Sequence, residues 1–300
     1  MSLRKAALLF ISGLGLYSVA NYSAEVANVR DRKKVLQGKP FWLVGHRGFA
    51  GKYPENTMLS FEQALALPID AVELDAHSSR DGKVVVIHDP TVDRTTNGTG
   101  RVFDMQWDEL KKLDAGYNFD PERNGQYPFR GKGLLIPALE EVFQKIGQKK
   151  IIIEIKQTLP AIEELIYALI RKYQMQERVI VASEHYEPLM RFRNLDPSIA
   201  TNLSAREANE FYKRYRLRLS NFYRGDGDAL QIPEKHNDLQ IVTPAFVQAG
   251  HRKGFVLHIW TVNDPADMQR LIEDGVDGII TDFPDRLIQV VEQMNGHRTS

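Results

Sequence analysis

The residues best equipped for chemistry fall in four short clusters: Gly45-His46-Arg47-Gly48, Glu73-Leu74-Asp75, His88-Asp89 and Glu154-Ile155-Lys156. Each lies within or just past a short apolar run that ends in a polar turn, which is where a parallel α/β barrel carries its functional groups. Alternate residues of a strand share a face, so Glu73 and Asp75 converge, and Glu154 with Lys156 repeats the geometry. Charges gathered inside a fold are tolerated only when paired, so the pattern predicts a bound cation, an anionic substrate, or both.

The elements that must position these groups follow from periodicity. From residue 41 onward, short Val, Ile and Leu runs alternate with amphipathic stretches, the pattern of parallel strands joined by helices. Strands are expected at 41–45, 71–75, 84–88, 151–156, 179–183, 256–261 and 278–281, with weaker runs at 199–203 and 229–232. Helices are expected at 56–67, 138–146, 160–173, 187–193, 205–216 and 265–274. That makes nine strand runs for eight barrel places, so one lies outside the ring or is no strand at all. Only eight residues separate Asp75 from Val84, fewer than the dozen or so a parallel crossover needs. An extended return turning at Asp81-Gly82 is predicted instead. The stretch 89–137 that follows the third strand has little regular pattern and many glycines, as expected of an insert over the barrel mouth. The expected architecture is therefore an α/β (β/α)₈ TIM barrel over 36–300, with that loop-rich insert and a hydrophobic segment before it.

Composition narrows the function. Lys plus Arg and Asp plus Glu are both 39 in 300 residues, so the whole chain has no electrostatic footprint for nucleic acid. With no cysteine, disulfides, thiolate metal sites and cysteine nucleophiles are excluded. The N-terminus is set apart: after Arg4 and Lys5, residues 6–20 are almost continuously apolar. Residues 1–35 are read as a targeting or anchor segment with its linker, holding the protein at a membrane. The alternative is a signal peptide cleaved to give a secreted or periplasmic protein, because the run is shorter than the roughly 20 residues of a full span.

The ordered set of motifs carries more information than any one of them. Gly45-His46-Arg47-Gly48, Pro54-Glu55-Asn56-Thr57, Glu73-Leu74-Asp75, Asp81-Gly82, His88-Asp89 and Glu154-Ile155-Lys156 are followed by Trp260-Thr261-Val262-Asn263 and Asp277-Gly278-Ile279-Ile280-Thr281-Asp282. In this order they resemble the signature of glycerophosphodiester phosphodiesterases, across nearly everything after Phe41. The resemblance implies a (β/α)₈ barrel that hydrolyses phosphodiesters of glycerol with a divalent cation. Glu73, Asp75 and Glu154 match the family's metal carboxylates, a hard oxygen set suited to Mg²⁺ or Ca²⁺. His46 and His88 match its paired catalytic histidines, while His77, His185, His236, His251, His258 and His297 are read as structural. In the family's mechanism a base activates the glycerol 2-hydroxyl and a cyclic phosphate is later opened by water. His46 is assigned as acid and His88 as base, with exchange of roles between the two steps.

Substrate contacts are assigned around that pair. Arg47 is expected to grip the phosphate, and Lys156 either adds a second positive charge there or pairs with Glu73 or Glu154. Glu55 is expected to contact the glycerol or the cation. Asn56 lines the same loop or caps the helix that starts there. Trp260 forms an apolar wall for the leaving group or packs in the core.

The substrate is expected to be a glycerophosphodiester, cleaved to sn-glycerol 3-phosphate and an alcohol. A lysophospholipase D-type reaction yielding lysophosphatidic acid is the alternative, because residues 116–119 and 127–133 resemble the insert of membrane-associated members. Tyr117, Phe119, Tyr127 and Phe129 there either line an acyl groove or form the insert's own core. The run 211–218 is basic and aromatic, suited to a bilayer surface or to a solvated helix face. A non-catalytic phospholipid-binding barrel is a further alternative, but it would need neither both histidines nor three carboxylates.

Overall fold

The apolar runs form strands β1 (Trp42–Gly45), β2 (Ala71–Ser78), β3 (Val84–Val86), β4 (Lys150–Ile155), β5 (Val179–Ala182) and β6 (Ala200–Thr201) in a computed structural model that describes residues 32–298. They continue as β7 (Ala229–Pro233), β8 (Lys235–His236), β9 (Leu239–Gln240), β10 (Val256–Trp260) and β11 (Gly278–Thr281). The helices are α1 (Met58–Leu65), α2 (Trp107–Leu110), α3 (Leu139–Lys145), α4 (Glu163–Lys172), α5 (Tyr186–Leu195), α6 (Ala205–Arg216), α7 (Pro244–Arg252), α8 (Pro265–Glu273) and α9 (Pro284–Arg298). The apolar run at 6–20 lies outside the described residues, and among those described no helix is long and apolar enough to cross a membrane.

Eight strands pair in parallel in the order β6, β5, β4, β2, β1, β11, β10, β7, and a single bridge between Asn202 and Ala229 brings the two ends together. The fold is thus a nearly closed TIM barrel. The ninth run is resolved by β3, which pairs antiparallel with the far end of β2 and stands outside the ring. The short Asp81-Gly82 return forces this: the chain turns back at once, with Gly82 at φ +82, and cannot cross over. The insert therefore follows a strand that is not a barrel stave.

Side-chain alternation builds two layers. Leu43, Val72, Leu74, Ile151, Ile153 and Ile155 face outward against the helices, while Val44, Ala71, Ile152, Ile180 and Ile280 fill the barrel interior. A 3₁₀ turn at Lys34–Leu36 places buried Val35 and Leu36 against that inner set. Lys33 adds a 2.9 Å ion pair with Asp228. A third cluster of Val85, Ile87, Val92, Val102, Leu110, Ala115 and Ile136 gives the insert its own core.

The helices start where their caps allow. Thr57 accepts from Ser60 N before α1, Ser204 and Glu207 form a reciprocal box at α6, and Asp264 accepts from Ala266 N and Asp267 N at α8. Helices α2, α7 and α9 were not expected, and α7 and α9 each open on a proline, as the expected α8 does. At the first turn proline loses no hydrogen bond, and Thr243 caps α7 by accepting from Phe246 N.

Candidate active site

The turn after β1 sets up the site. A Cβ on Gly45 would come within 2.3 Å of the Gly48 carbonyl oxygen, and Gly48 adopts φ +86 against Ser60, so both positions require glycine. The turn holds Arg47 at φ 49 and aims its backbone N–H at Glu73 Oε2, 3.1 Å away. Asn56, also left-handed at φ 56, donates from its backbone to the Arg47 carbonyl and from Nδ2 to Asp75 Oδ2 at 2.8 Å. The α1 cap is Thr57, which leaves the Asn56 amide free for Asp75.

Glu73 and Asp75 project into the barrel from β2, and Glu154 joins them from β4, where it is the register partner of Asp75. One oxygen from each of the three lies within 4.8 Å of the other two. Lys156 Nζ sits 2.7 Å from Glu154 Oε1 and 3.3 Å from Asp75 Oδ1. These contacts are ionic in distance but lack hydrogen-bond angles, and both buried oxygens accept no hydrogen bond. Burial, with the Asp75 charge beside it, pushes the Glu73 carboxyl up to about 8. Burial also raises Glu154, against the pull of Lys156. For Asp75, Arg47 and Lys156 overcome burial and hold the carboxyl low. Three crowded carboxylates, whose negative charge exceeds what the single Lys156 ammonium among them can balance, fit a hard divalent cation such as Mg²⁺ or Ca²⁺.

Each histidine of the pair is held by a carboxylate. His46, just after β1, has Nδ1 2.7 Å from Asp282 Oδ1, which leaves Nε2 facing inward, 3.9 Å from Glu73 Oε2. Burial lowers the His46 imidazole, but the Asp282 hydrogen bond and the Glu73 charge outweigh it and leave the group above its ordinary value. Asp282 is itself fixed by Asn263, which donates to Oδ2 at 2.7 Å and accepts from the Asp282 backbone at 2.9 Å. His88 Nδ1 lies 2.6 Å from Asp89 Oδ1, and His77 Nε2 holds the His88 carbonyl at 3.1 Å. Arg94 donates from Nε to Asp89 Oδ2 at 2.6 Å and, with the histidine contact, holds Asp89 at about 2 against the effect of burial. Arg94 also grips both oxygens of Glu55, whose Oε1 accepts from Arg47 Nη1 at 2.8 Å.

His46, Arg47, Glu73, His88, Glu154, Lys156 and Trp260 line one cavity of about 620 Å³ at the carboxyl ends of the strands, with Asp75 buried beneath. Glu55 lies in an arginine clamp and is no member of the acidic trio. Four supporting side chains were given no role by sequence reasoning: Asp89, Arg94, Asn263 and Asp282. The last two lie within the late motifs, and an Asp beside a strand-end His was a legible signal for Asp89. Nothing local marked Arg94, which reaches the site from the insert.

The remaining histidines are dispersed. His251 pairs with Asp277 at 2.7 Å, His258 is buried beside Gln231 and Trp42, and His185 precedes α5. His236 lines the outer cavity, and the side chain of His297 lies outside the described residues. The insert aromatics do not line the cavity. Phe119 packs edge-on to Phe129, Phe129 contacts Tyr53, and Arg130 lies over Tyr117 and Tyr127. In the basic run, Phe211 is fully buried and Arg214 pairs with Glu210.

Residues 46–286 match the model of the glycerophosphoryl diester phosphodiesterase family. The chain belongs to that family. A glycerophosphodiester phosphodiesterase of Caldanaerobacter subterraneus is 37% identical over 256 residues, covering 84% of this chain and 98% of the relative. A human lysophospholipase D is 26% identical over 318 residues, covering 94% and 96%. The solved structure of an Oleispira antarctica phosphodiesterase in complex with the product sn-glycerol-3-phosphate superposes with a TM-score of 0.66 at 27% identity, covering 83% of this chain and 96% of that one. The chain is therefore a phosphodiesterase, and the cavity with its two carboxylate-held histidines lies at the carboxyl ends of the strands, the end at which parallel α/β barrels carry their chemistry.

Proposed function

We propose that this phosphodiesterase hydrolyses glycerophosphodiesters to sn-glycerol 3-phosphate and a free alcohol, using a divalent cation held by Glu73, Asp75 and Glu154. One arrangement carries the proposal: two imidazoles, each with Nδ1 tied to its own carboxylate, open into a single cavity beside three crowded carboxylates. The complex of the Oleispira relative with sn-glycerol-3-phosphate agrees with that product. When bound, Mg²⁺ or Ca²⁺ supplies charge that polarises the phosphoryl group.

The chain's own residues do the rest. Arg47 presents its guanidinium to the phosphoryl oxygens while Glu55 and Asp75 hold it from behind, and Lys156 adds a second positive charge. His88 takes the proton of the glycerol 2-hydroxyl as its oxygen bonds to phosphorus, and His46 protonates the departing alcohol oxygen. For the second half the roles reverse: His46 takes a proton from water, the water oxygen bonds to phosphorus as the bond from phosphorus to the 2-oxygen breaks, and His88 returns a proton to that 2-oxygen. Each imidazole contributes about 10²- to 10⁴-fold. Trp260 walls the leaving-group side. The apolar run at 6–20 is read as a membrane anchor, checked by whether removal of residues 1–31, which spares Lys33 and Val35, shifts the protein from the membrane to the soluble fraction.

The test is turnover of glycerophosphocholine, with sn-glycerol 3-phosphate as the product measured. His46→Ala and His88→Ala should each lose at least about a hundredfold with unchanged circular dichroism. Normal turnover by either variant refutes its role. A second reading, cleavage of lysophospholipids to lysophosphatidic acid, draws on the apolar side chains that line the same cavity, among them Leu230, Ile232, Leu239 and Phe246.

A further inference from the structure

The N-terminal chain enters the barrel at the end opposite the cavity. Lys33 Nζ donates to the Ile199 carbonyl at 2.8 Å and pairs with Asp228 at 2.9 Å, and those two residues stand just before β6 and β7. Val35 and Leu36 share an apolar cluster with Trp42 and Ala229, which open β1 and β7. The apolar run at 6–20 is therefore joined to the floor of the barrel, at the amino ends of the strands, and not to its mouth.

The same floor carries the basic run that the catalytic site leaves unused. Helix α6 starts at the cavity, which Ala205 lines, and returns the chain to the amino ends of the strands. The loop that follows is fixed there: Asn221 accepts from buried Lys253 Nζ at 3.1 Å, and Tyr223 packs edge-on to Phe255, just before β10. From Phe211 to Gly225 the chain holds five basic residues and no acidic one. Arg216, Arg218, Arg224 and, at the end of α7, Arg252 are exposed. Of the acids in the loop 217–228, Asp226 and Asp228, the second is neutralised by Lys33. Leu217 stands among these arginines and is 69% exposed.

We propose that this floor docks on an anionic phospholipid bilayer, with Leu217 entering the headgroup region while the arginines reach lipid phosphates, so that the catalytic mouth points to the water. A leucine flanked by long cationic side chains suits that boundary, and each arginine close to an anionic leaflet strengthens binding by about fivefold. The entry point of the chain agrees. From Ala20 to Lys33 the chain reaches at most about 45 Å, short of the path around a body about 48 Å across, so an anchor at 6–20 keeps the mouth off its own bilayer. The assignment takes its direction from the anchor reading above and its affinity from the arginines.

The chain has no cysteine, so Leu217→Cys and, on the cavity lining, Leu239→Cys each give the full-length protein a single site for a fluorophore. The labelled proteins are mixed with vesicles that carry a headgroup quencher, made of phosphatidylcholine alone or of phosphatidylcholine and phosphatidylglycerol in equal parts. On the anionic vesicles the Leu217→Cys label should be quenched and the Leu239→Cys label should not. Arg224→Glu combined with Arg252→Glu should abolish that quenching while glycerophosphocholine turnover stays within about twofold of wild type. Salt at about 1 M, which cuts the screening length to about 3 Å, should abolish it without any substitution. Quenching at Leu239→Cys instead overturns the orientation, quenching at neither site overturns the docking face, and equal quenching on phosphatidylcholine alone overturns recognition by charge. Cosedimentation with phosphatidylcholine vesicles reports the anchor separately, so its failure and the failure of the face are told apart.

Discussion

Arg94 and Glu55 form a two-pronged ion pair, with Nη2 2.7 Å from Oε1 and Nη1 2.8 Å from Oε2. The same guanidinium holds Asp89, the partner of His88, and Glu55 in turn holds Arg47. One arginine of the insert thus ties His88 and Arg47 into a single frame.

Arg94 is accordingly a positioning residue. Arg94→Ala should lower kcat/KM for glycerophosphocholine about tenfold, or about 1.4 kcal/mol. Arg94→Lys should recover only part, because an ammonium cannot span both carboxylates. Stability should change by less than about 1 kcal/mol, since the side chain is 47% exposed. Steady-state kinetics alongside urea denaturation separates the two effects.

Asp282 fixes the His46 tautomer through Nδ1. Asp282→Asn should leave the fold intact and lower kcat by about a hundredfold or more. Asn263→Ala, which frees Asp282 without removing it, should cost less, about tenfold. Single-turnover rates on the two variants check the order.

The acidic trio makes cation dependence measurable apart from turnover. Mg²⁺ or Ca²⁺ at about a hundredfold over its Kd should stabilise the fold by about 2.7 kcal/mol. Chelation should stop catalysis, and Glu154→Gln should blunt both effects. Thermal denaturation with each ion separately identifies which one binds more tightly.

His258 should make the fold acid-sensitive. It is fully buried, and burial pushes its imidazole down to about 4 from 6.5. On acidification the unfolded chain therefore takes up the proton first. Stability is complete above pH 6.5 and falls as pH drops toward 4, by about 3 kcal/mol. Urea midpoints at pH 7 and pH 4 should show that loss in the wild type and a loss smaller by about that amount in His258→Gln.

Much of this was legible in the chain because it is local. Strand alternation placed Glu73 with Asp75 and Glu154 with Lys156 on inward faces, and six of the helices carried readable patterns. The Asp81-Gly82 return was visible from spacing, since eight residues cannot make a parallel crossover. Helices α7 and α9 went unread, although a proline at the first turn costs no hydrogen bond and α8, which opens the same way, was expected.

By itself, the sequence determined the barrel, the acidic trio and the two histidines, because strand-end position and period-two alternation act within a few residues. Tertiary structure alone decided which ninth strand stands outside the ring, that Arg94 reaches back to Glu55 and Asp89, and that the insert aromatics pack among themselves and stay off the cavity lining. Those outcomes depend on side chains meeting across dozens of positions, where closure of the ring at the short β6 seam and competition for ion partners set the geometry, and no local pattern encodes either.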